Sequence, residues 1–358
     1  MTGLINILRC CSNRIENIEP HRSGITIVVY VLYLCAYDPR WFKKIIAIAR
    51  FSQFCYFAFQ FQDQIVSSIM FTLENEHLRI DINSKGAELN SLYNKKFQLE
   101  YMWSGDPAFW NKKSPVLFPI VGTLKGNTFY FNENTYHLSR HGFAREMEFA
   151  LTSQTDSSIT LSLEDTAGTL EVFPFHFRFD IGYSILGDRL HVLYRVINRD
   201  NGPIYFSVGG HPAFKVPLEA GCKYGDYFLE FAEPENAGRW PISGDGLIEQ
   251  TPLSLLKNER RILLSKELFY EDALVFKNLH STKVQLLNSR SQRGLEFDFT
   301  GFPFLGIWAA KNADFVCIEP WCGIADSVNG NQHLQDKEGI VRLNTSEQFE
   351  RTWSVRCF

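Results

Sequence analysis

The sequence predicts an all-β domain of mostly antiparallel strands in sheets packed face to face, and three observations carry that expectation. From residue 70 onward the dominant hydrophobic period is two, the apolar runs are short and bounded by turn-formers, and no long amphipathic helix separates them. Many strands at short intervals without intervening helices imply antiparallel sheets stacked on one another.

Taken in order, the first clear strand is Leu78, Ile80 and Ile82 alternating with Arg79 and Asp81, the pattern of one buried face. Thr128 to Ser139 reads as two strands joined at Asn132-Glu133-Asn134. Alternation returns at Phe177, Phe179 and Ile181, crosses a Gly187-Asp188 turn and continues through Leu190, Val192, Tyr194 and Val196, with His191, Leu193 and Arg195 on the other face. That is a hairpin signature. Glu219 to Gly246 is the loop richest in turn residues and reads as an excursion from the domain rather than a boundary. Leu253 to Lys257 and Lys266 to Tyr270 are short helix candidates. Leu295, Phe297 and Phe299 then alternate with Glu296, Asp298 and Thr300 before Gly301.

The 358 residues are 45% hydrophobic and include 31 phenylalanines, so a sizeable aromatic core is expected and disorder is not. With 36 basic against 40 acidic residues and no Lys/Arg block, nucleic acid is not an implied partner. The eight cysteines show no CxxC spacing, which argues against a zinc site. A chain of this length does not need a disulfide framework, so reduced thiols and a cytoplasmic location are expected.

Residues 1–69 stand apart from this pattern. Their apolar run Gly24 to Tyr37 is 14 residues long, short of the roughly 20 that cross a bilayer, and Ile45 to Phe61 is interrupted by Arg50, Gln53 and Gln60. Two readings stay open: an upstream extension from a misplaced start, or a weak hydrophobic anchor. A membrane partner is not expected, and residues 70–358 are taken as the functional domain.

Three segments place ionisable residues among turn-formers and aromatics: Ser139-Arg140-His141-Gly142-Phe143-Ala144-Arg145, Val208-Gly209-Gly210-His211-Pro212-Ala213-Phe214, and Val316-Cys317-Ile318-Glu319-Pro320-Trp321-Cys322 continuing to Asp326. Taken singly, His141 and His211 read as turn or hydrogen-bonded residues as readily as catalysts. Glu319 ends an apolar run before Pro320, and a carboxylate there is costly unless it is paired or functional.

Together with SPVLFPIVGTLKG (114–126) and VFPFHF (172–177), these motifs resemble those of the aldose 1-epimerases in order and spacing, most closely the LacX-like branch. The resemblance spans residues 70–358 and implies the galactose mutarotase-like supersandwich. It also implies interconversion of the α and β anomers of a free aldose, with Glu319 as base, His211 as acid, and no metal or other cofactor. By the same resemblance His141 and Asp272 hold sugar hydroxyls, and Trp321 and Trp308 could face the sugar's C–H surface. Lys125 stands near where many relatives carry arginine, keeping the charge but losing the bidentate fork. Lys125, Arg140 and Arg145 are also candidate cations for a sugar 6-phosphate, the alternative substrate on the same fold. A non-catalytic carbohydrate-binding or sensing protein is the reading from a different class. Sugar is the expected small-molecule partner, and the protein is expected to be a monomer or homodimer.

Overall fold

Period two is what the backbone delivers. The computed structural model describes residues 68–358, and the readings placed on residues 1–67 lie outside the described residues. The strand Arg189–Asn198 alternates buried and part-buried side chains along its whole length, Leu295–Asp298 does the same, and Leu78–Asn83 alternates buried residues with exposed Arg79 and part-buried Asp81 and Asn83. Phe177–Leu186 departs from strict alternation at Asp180, which is buried but accepts hydrogen bonds from Ser162 Oγ (2.6 Å) and Arg178 Nε (2.7 Å). The burial cost of that carboxylate is offset by its partners.

The anticipated hairpins form. Phe177–Leu186 pairs with Arg189–Asn198 across the two-residue turn Gly187-Asp188, where Gly187 has φ +59°. Thr128–Phe131 pairs with Asn134–His137, and its two turn residues, Asn132 and Glu133, both take positive φ.

Three sheets carry the architecture. A four-stranded sheet begins the described chain at Met70–Glu74. A nine-stranded antiparallel sheet runs from Glu259–Leu263 at one edge, through Gln348–Cys357 and the long hairpin, to Ala150–Gln154 at the other. A six-stranded sheet contains Leu274–Lys277, Phe304–Trp308, Phe315–Cys322, Val208–Gly210 and Val116–Leu117 in that order, with Ala213–Lys215 also paired to Phe315–Cys322.

Phenylalanines join the six-stranded sheet and its flanks to the nine-stranded sheet. Phe118 stacks on Phe179 at 4.5 Å between centroids, Phe214 meets Phe297 at 5.9 Å and Phe231 meets Phe276 at 6.1 Å. The VFPFHF segment belongs to this core: Phe173, Phe175 and Phe177 are all buried, and Phe143 from the histidine-bearing loop packs on two of them.

Two expectations need correction. Residues 219–246 are more than an excursion, because Tyr227–Glu235 is an interior strand of the nine-stranded sheet, burying Tyr227, Leu229 and Phe231. Turn-formers crowd both ends of that strand and mask a period-two run between them. Leu253–Ser254 is a two-residue strand paired with Gly238–Arg239 rather than a helix, while Lys266–Phe269 is a 3-10 turn. The one α-helix among the described residues is Ala167–Val172, closed at its start by reciprocal Thr166 and Thr169 side-chain bonds. Among the described residues no helix is long and apolar enough to cross a membrane.

Candidate active site

The strand Phe315–Cys322 is buried on both faces. Side chains alternate across a strand, so Val316, Ile318 and Cys322 join the core between the sheets, whereas Glu319 and Trp321 line a cavity of about 270 Å3 on the opposite side. Trp321 lies against neighbouring strands that carry glycine beside it. A Cβ on Gly306 would stand 2.4 Å from its ring, and one on Gly209 would stand 2.6 Å from its Cδ1. The two glycines leave room for the indole to lie along the sheet as part of the cavity wall.

His211 enters from the short connection between Val208–Gly210 and Ala213–Lys215, both paired to the Glu319 strand. Its ring packs on Trp110 at 4.9 Å and edge-on to Trp308 at 5.5 Å. Its Nε2 lies 3.2 Å from Glu319 Oε2, and both residues are buried. Burial raises the Glu319 carboxyl well above its ordinary range, with Arg140 opposing and Asp272 reinforcing the shift. Burial likewise pushes the His211 imidazole down to about 3. Both shifts oppose the charged arrangement, so a single proton shared by the pair rests on the carboxyl rather than on the imidazole.

His141 sits at φ +69° in its loop, with its ring 5.9 Å from that of His211. Its Nδ1 accepts the Gly122 N–H at 3.1 Å, while Arg140 Nε stands 3.3 Å from its Nε2. A neutral imidazole accepts at only one nitrogen. The Gly122 N–H and the Arg140 Nε–H therefore compete for one lone pair on the ring. Burial, together with the charges of Arg140 and Arg145, keeps the ring neutral.

Asp272, at φ +87°, lines the cavity with Oδ1 3.8 Å from Arg140 Nη2. Arg145 also lines it, donating from Nη2 to the Arg140 carbonyl while its Nε is buried without a partner. Trp321 Nε1 is likewise buried and unpartnered.

Six of the seven residues picked out as catalytic or substrate-binding, Glu319, His211, His141, Asp272, Arg145 and Trp321, thus converge on one cavity. Lys125 does not, which corrects the expectation placed on it. Its amino group donates to the Val328 carbonyl (2.9 Å), its backbone N–H to Asp326 (2.9 Å), and its carbonyl accepts from Gln332. Asp326 is itself held by Lys337 in a buried 2.8 Å ion pair, so the loop carrying Lys125 is tied away from the cavity.

Trp110 and Arg140 complete the polar and aromatic lining, and Ile242 and Ile248 add an apolar side. Trp110 was missed by motif reading; its only sequence signal is a tryptophan in the polar stretch Gly105 to Lys113. A second correction concerns metal ligands. Cysteine spacing gave no cluster, yet His211, Cys317 and Glu319 each offer a ligand atom, all within 4.8 Å of one another. Cys317-x-Glu319 on a strand puts both on one face.

The aldose 1-epimerase family model matches residues 70–351. The chain belongs to the aldose 1-epimerase family. Within that family it is LacX-like. It is 32% identical over 295 residues to chromosomal protein LacX of Lactococcus lactis subsp. lactis, an overlap of 79% of this chain and 97% of that protein. Among solved structures, the galactose mutarotase related enzyme from Lactobacillus acidophilus matches with TM-score 0.78 and 33% identity over 81% of this chain and 97% of that one. A galactose mutarotase-like protein from Lactobacillus casei ATCC 334 gives 0.77 and 30% over 81% and 100%. The fold is therefore galactose mutarotase-like, as the motif resemblance implied, with the antiparallel sheets that the strand pattern predicted. Family and neighbours together support an isomerase-type enzyme, an epimerase or mutarotase acting on sugar.

Proposed function

We propose that this cavity interconverts the α and β anomers of a free aldose, with Glu319 and His211 exchanging protons with the sugar. The observation that carries the reading is the pair itself: a carboxyl and an imidazole 3.2 Å apart, both buried in the wall of a cavity whose remaining polar lining suits hydroxyls. Ring opening takes the proton from the anomeric hydroxyl, O1, delivers one to the ring oxygen, O5, and breaks the C1–O5 bond. Glu319 as carboxylate accepts the first proton, and His211 as imidazolium supplies the second. The pair begins and ends with one proton, moved from histidine to glutamate. Rotation about C1–C2 and the reverse transfers then close the ring on its other face.

Burial favours the uncharged arrangement, so the sugar must help to form the charged one. Its hydroxyls hydrogen-bond to the carboxylate, and the Arg140 charge acts in the same direction. Positioned acid and base groups each contribute about a hundredfold to ten-thousandfold, which suits a reaction that already proceeds slowly in water. His141, Asp272 and Arg145 hold hydroxyls in this scheme, and Trp308 and Trp321 lie against C–H faces. The chemistry itself calls for no metal or nucleotide.

One observation favours a second substrate, a 6-phosphorylated aldose: Arg145 makes no ion pair among the described residues while lining the cavity. Anomer exchange followed by polarimetry or NMR on matched free and phosphorylated aldoses separates the two. On the preferred sugar, Glu319→Gln and His211→Asn each remove most exchange yet keep sugar affinity within about tenfold, roughly 1.4 kcal/mol. Both replacements preserve shape and hydrogen-bonding capacity but cannot exchange a proton near neutral pH. His141→Asn lowers affinity and turnover together. An active Glu319→Gln protein removes the central residue from the mechanism, and a wild-type protein that binds sugar without exchanging its anomers is a sensor instead.

A further inference from the structure

We propose that His211, Cys317 and Glu319 form a binding site for one thiophilic divalent cation of the zinc type, and that the bound ion shuts down the cavity. The proposal goes beyond the catalytic reading, and only its inhibitory part rests on that reading. Three features of the site carry it. The donor set is one imidazole, one thiol and one carboxyl, the mixture that borderline-soft cations select over magnesium or calcium, which prefer oxygen alone. The three ligand atoms lie within 4.8 Å of one another. Tetrahedral zinc, with bonds of about 2.0–2.3 Å, sets its ligands roughly 3.3–3.6 Å apart. His211 Nε2 and Glu319 Oε2 already stand at 3.2 Å, so the adjustment required falls mainly on the distance to the sulfur.

The scaffold supports that arrangement. Cys317 and Glu319 are two residues apart on one strand, and the segment after His211 is paired to the same strand through Ala213 and Cys317. The three ligands thus hang from one piece of sheet, which fixes their separation. His211 is not tethered through its second nitrogen, because Nδ1 is buried without a hydrogen-bond partner. Only the contact of Nε2 with Glu319 therefore has to be exchanged for a bond to the ion. Cys317 has no exposed surface of its own, but His211 and Glu319 form the cavity wall in front of it, so an ion approaches through the cavity. Three protein ligands leave the fourth tetrahedral position open on the cavity side for water. Binding releases both the thiol proton and the carboxyl proton to solvent and occupies the lone pairs that the acid–base pair needs. A cation there and an aldose in the cavity exclude each other.

The test uses the full chain, stripped by chelation, with cobalt(II) as the spectroscopic probe and zinc as the competing ion. One equivalent of cobalt should produce a thiolate-to-metal charge-transfer band and visible bands of tetrahedral intensity, and both should bleach when zinc is added. Cys317→Ala and Cys317→Ser should abolish the charge-transfer band. They should also weaken zinc binding by about a hundredfold or more, above the 10–100-fold typical of losing an outer-shell partner. Because other thiols could bind cobalt, the band counts only if it disappears with Cys317 while the melting transition is retained in at least one of the two variants. Wild-type anomer exchange should be inhibited by zinc and restored by chelator, and the Cys317 variants should exchange anomers at the wild-type rate without inhibition. The proposal is overturned if the charge-transfer band is missing in the wild type or survives both Cys317 substitutions. The cobalt spectrum reads the site whether or not the protein turns over sugar, so its failure is distinct from failure of the catalytic reading.

Discussion

The proton shared by Glu319 and His211 ties the stability of the fold to pH, and Glu319→Gln isolates its effect. In the folded protein the carboxyl is raised well above its ordinary 4.5 and the imidazole is lowered from 6.5 to about 3. The unfolded pair holds two protons below 4.5, one between 4.5 and 6.5, and none above. The folded pair holds one from about 3 up to the raised carboxyl value. Stability rises with pH wherever the unfolded chain binds more protons. The pair's contribution therefore climbs from about 3 to 4.5 and is level above that for as long as the folded carboxyl and the unfolded imidazole each keep their proton. Replacing Glu319 by glutamine leaves the histidine alone, whose contribution climbs from about 3 to 6.5 and then stays level. The variant consequently gains on the wild type by about 1.4 kcal/mol for each pH unit between the ordinary carboxyl value and the raised one. Urea unfolding followed by tryptophan fluorescence at three pH values across that interval measures the difference directly. A gap that stays constant, or that widens toward acid, shows that the buried proton does not sit on Glu319.

Two further outcomes follow from the packing and the chain organisation. Gly306→Ala places a methyl within contact-breaking distance of the Trp321 ring; overpacking of this kind costs about 1–3 kcal/mol, and the displaced indole should weaken sugar binding. Lowered stability in urea with unchanged sugar affinity would show that Trp321 is scaffold rather than part of the binding wall. A protein beginning at Met70 should fold and bind sugar as the full chain does, since Ser68–Phe358 forms its own contact unit; loss of its cooperative melt would falsify the division at residue 70.

How far the structure could be read in advance depended on whether a local pattern or a tertiary one held the information. Strands with one solvated face, such as Arg189–Asn198, declare themselves because every second side chain must be apolar. Tyr227–Glu235 obeys the same rule through Tyr227, Leu229 and Phe231, but its last residues include Pro234 and lie mostly exposed, so the turn signal around it prevailed. Lys125 shows a different limit. Its charge and its place in a motif were visible, but its direction is set by Asp326, which holds its backbone from 201 residues away.

The candidate site shows both limits at once. His211 and Glu319 are 108 positions apart in sequence, and only the pairing of Val208–Gly210 and Ala213–Lys215 with Phe315–Cys322 brings them together. Motif likeness could nominate the two residues, yet it could not disclose that burial makes them share one proton or that Cys317 stands close to both. Those properties arise because Phe315–Cys322 is enclosed on both faces, by aromatic core on one side and by the cavity wall on the other. The enclosure that raises the Glu319 carboxyl lowers the imidazole and leaves His211 Nδ1 without a partner. A dry wall of this kind costs stability whenever a charge forms in it. On the proposed mechanism a bound sugar lowers that cost by donating hydrogen bonds to the carboxylate, so the charged pair needed for ring opening forms when substrate is present.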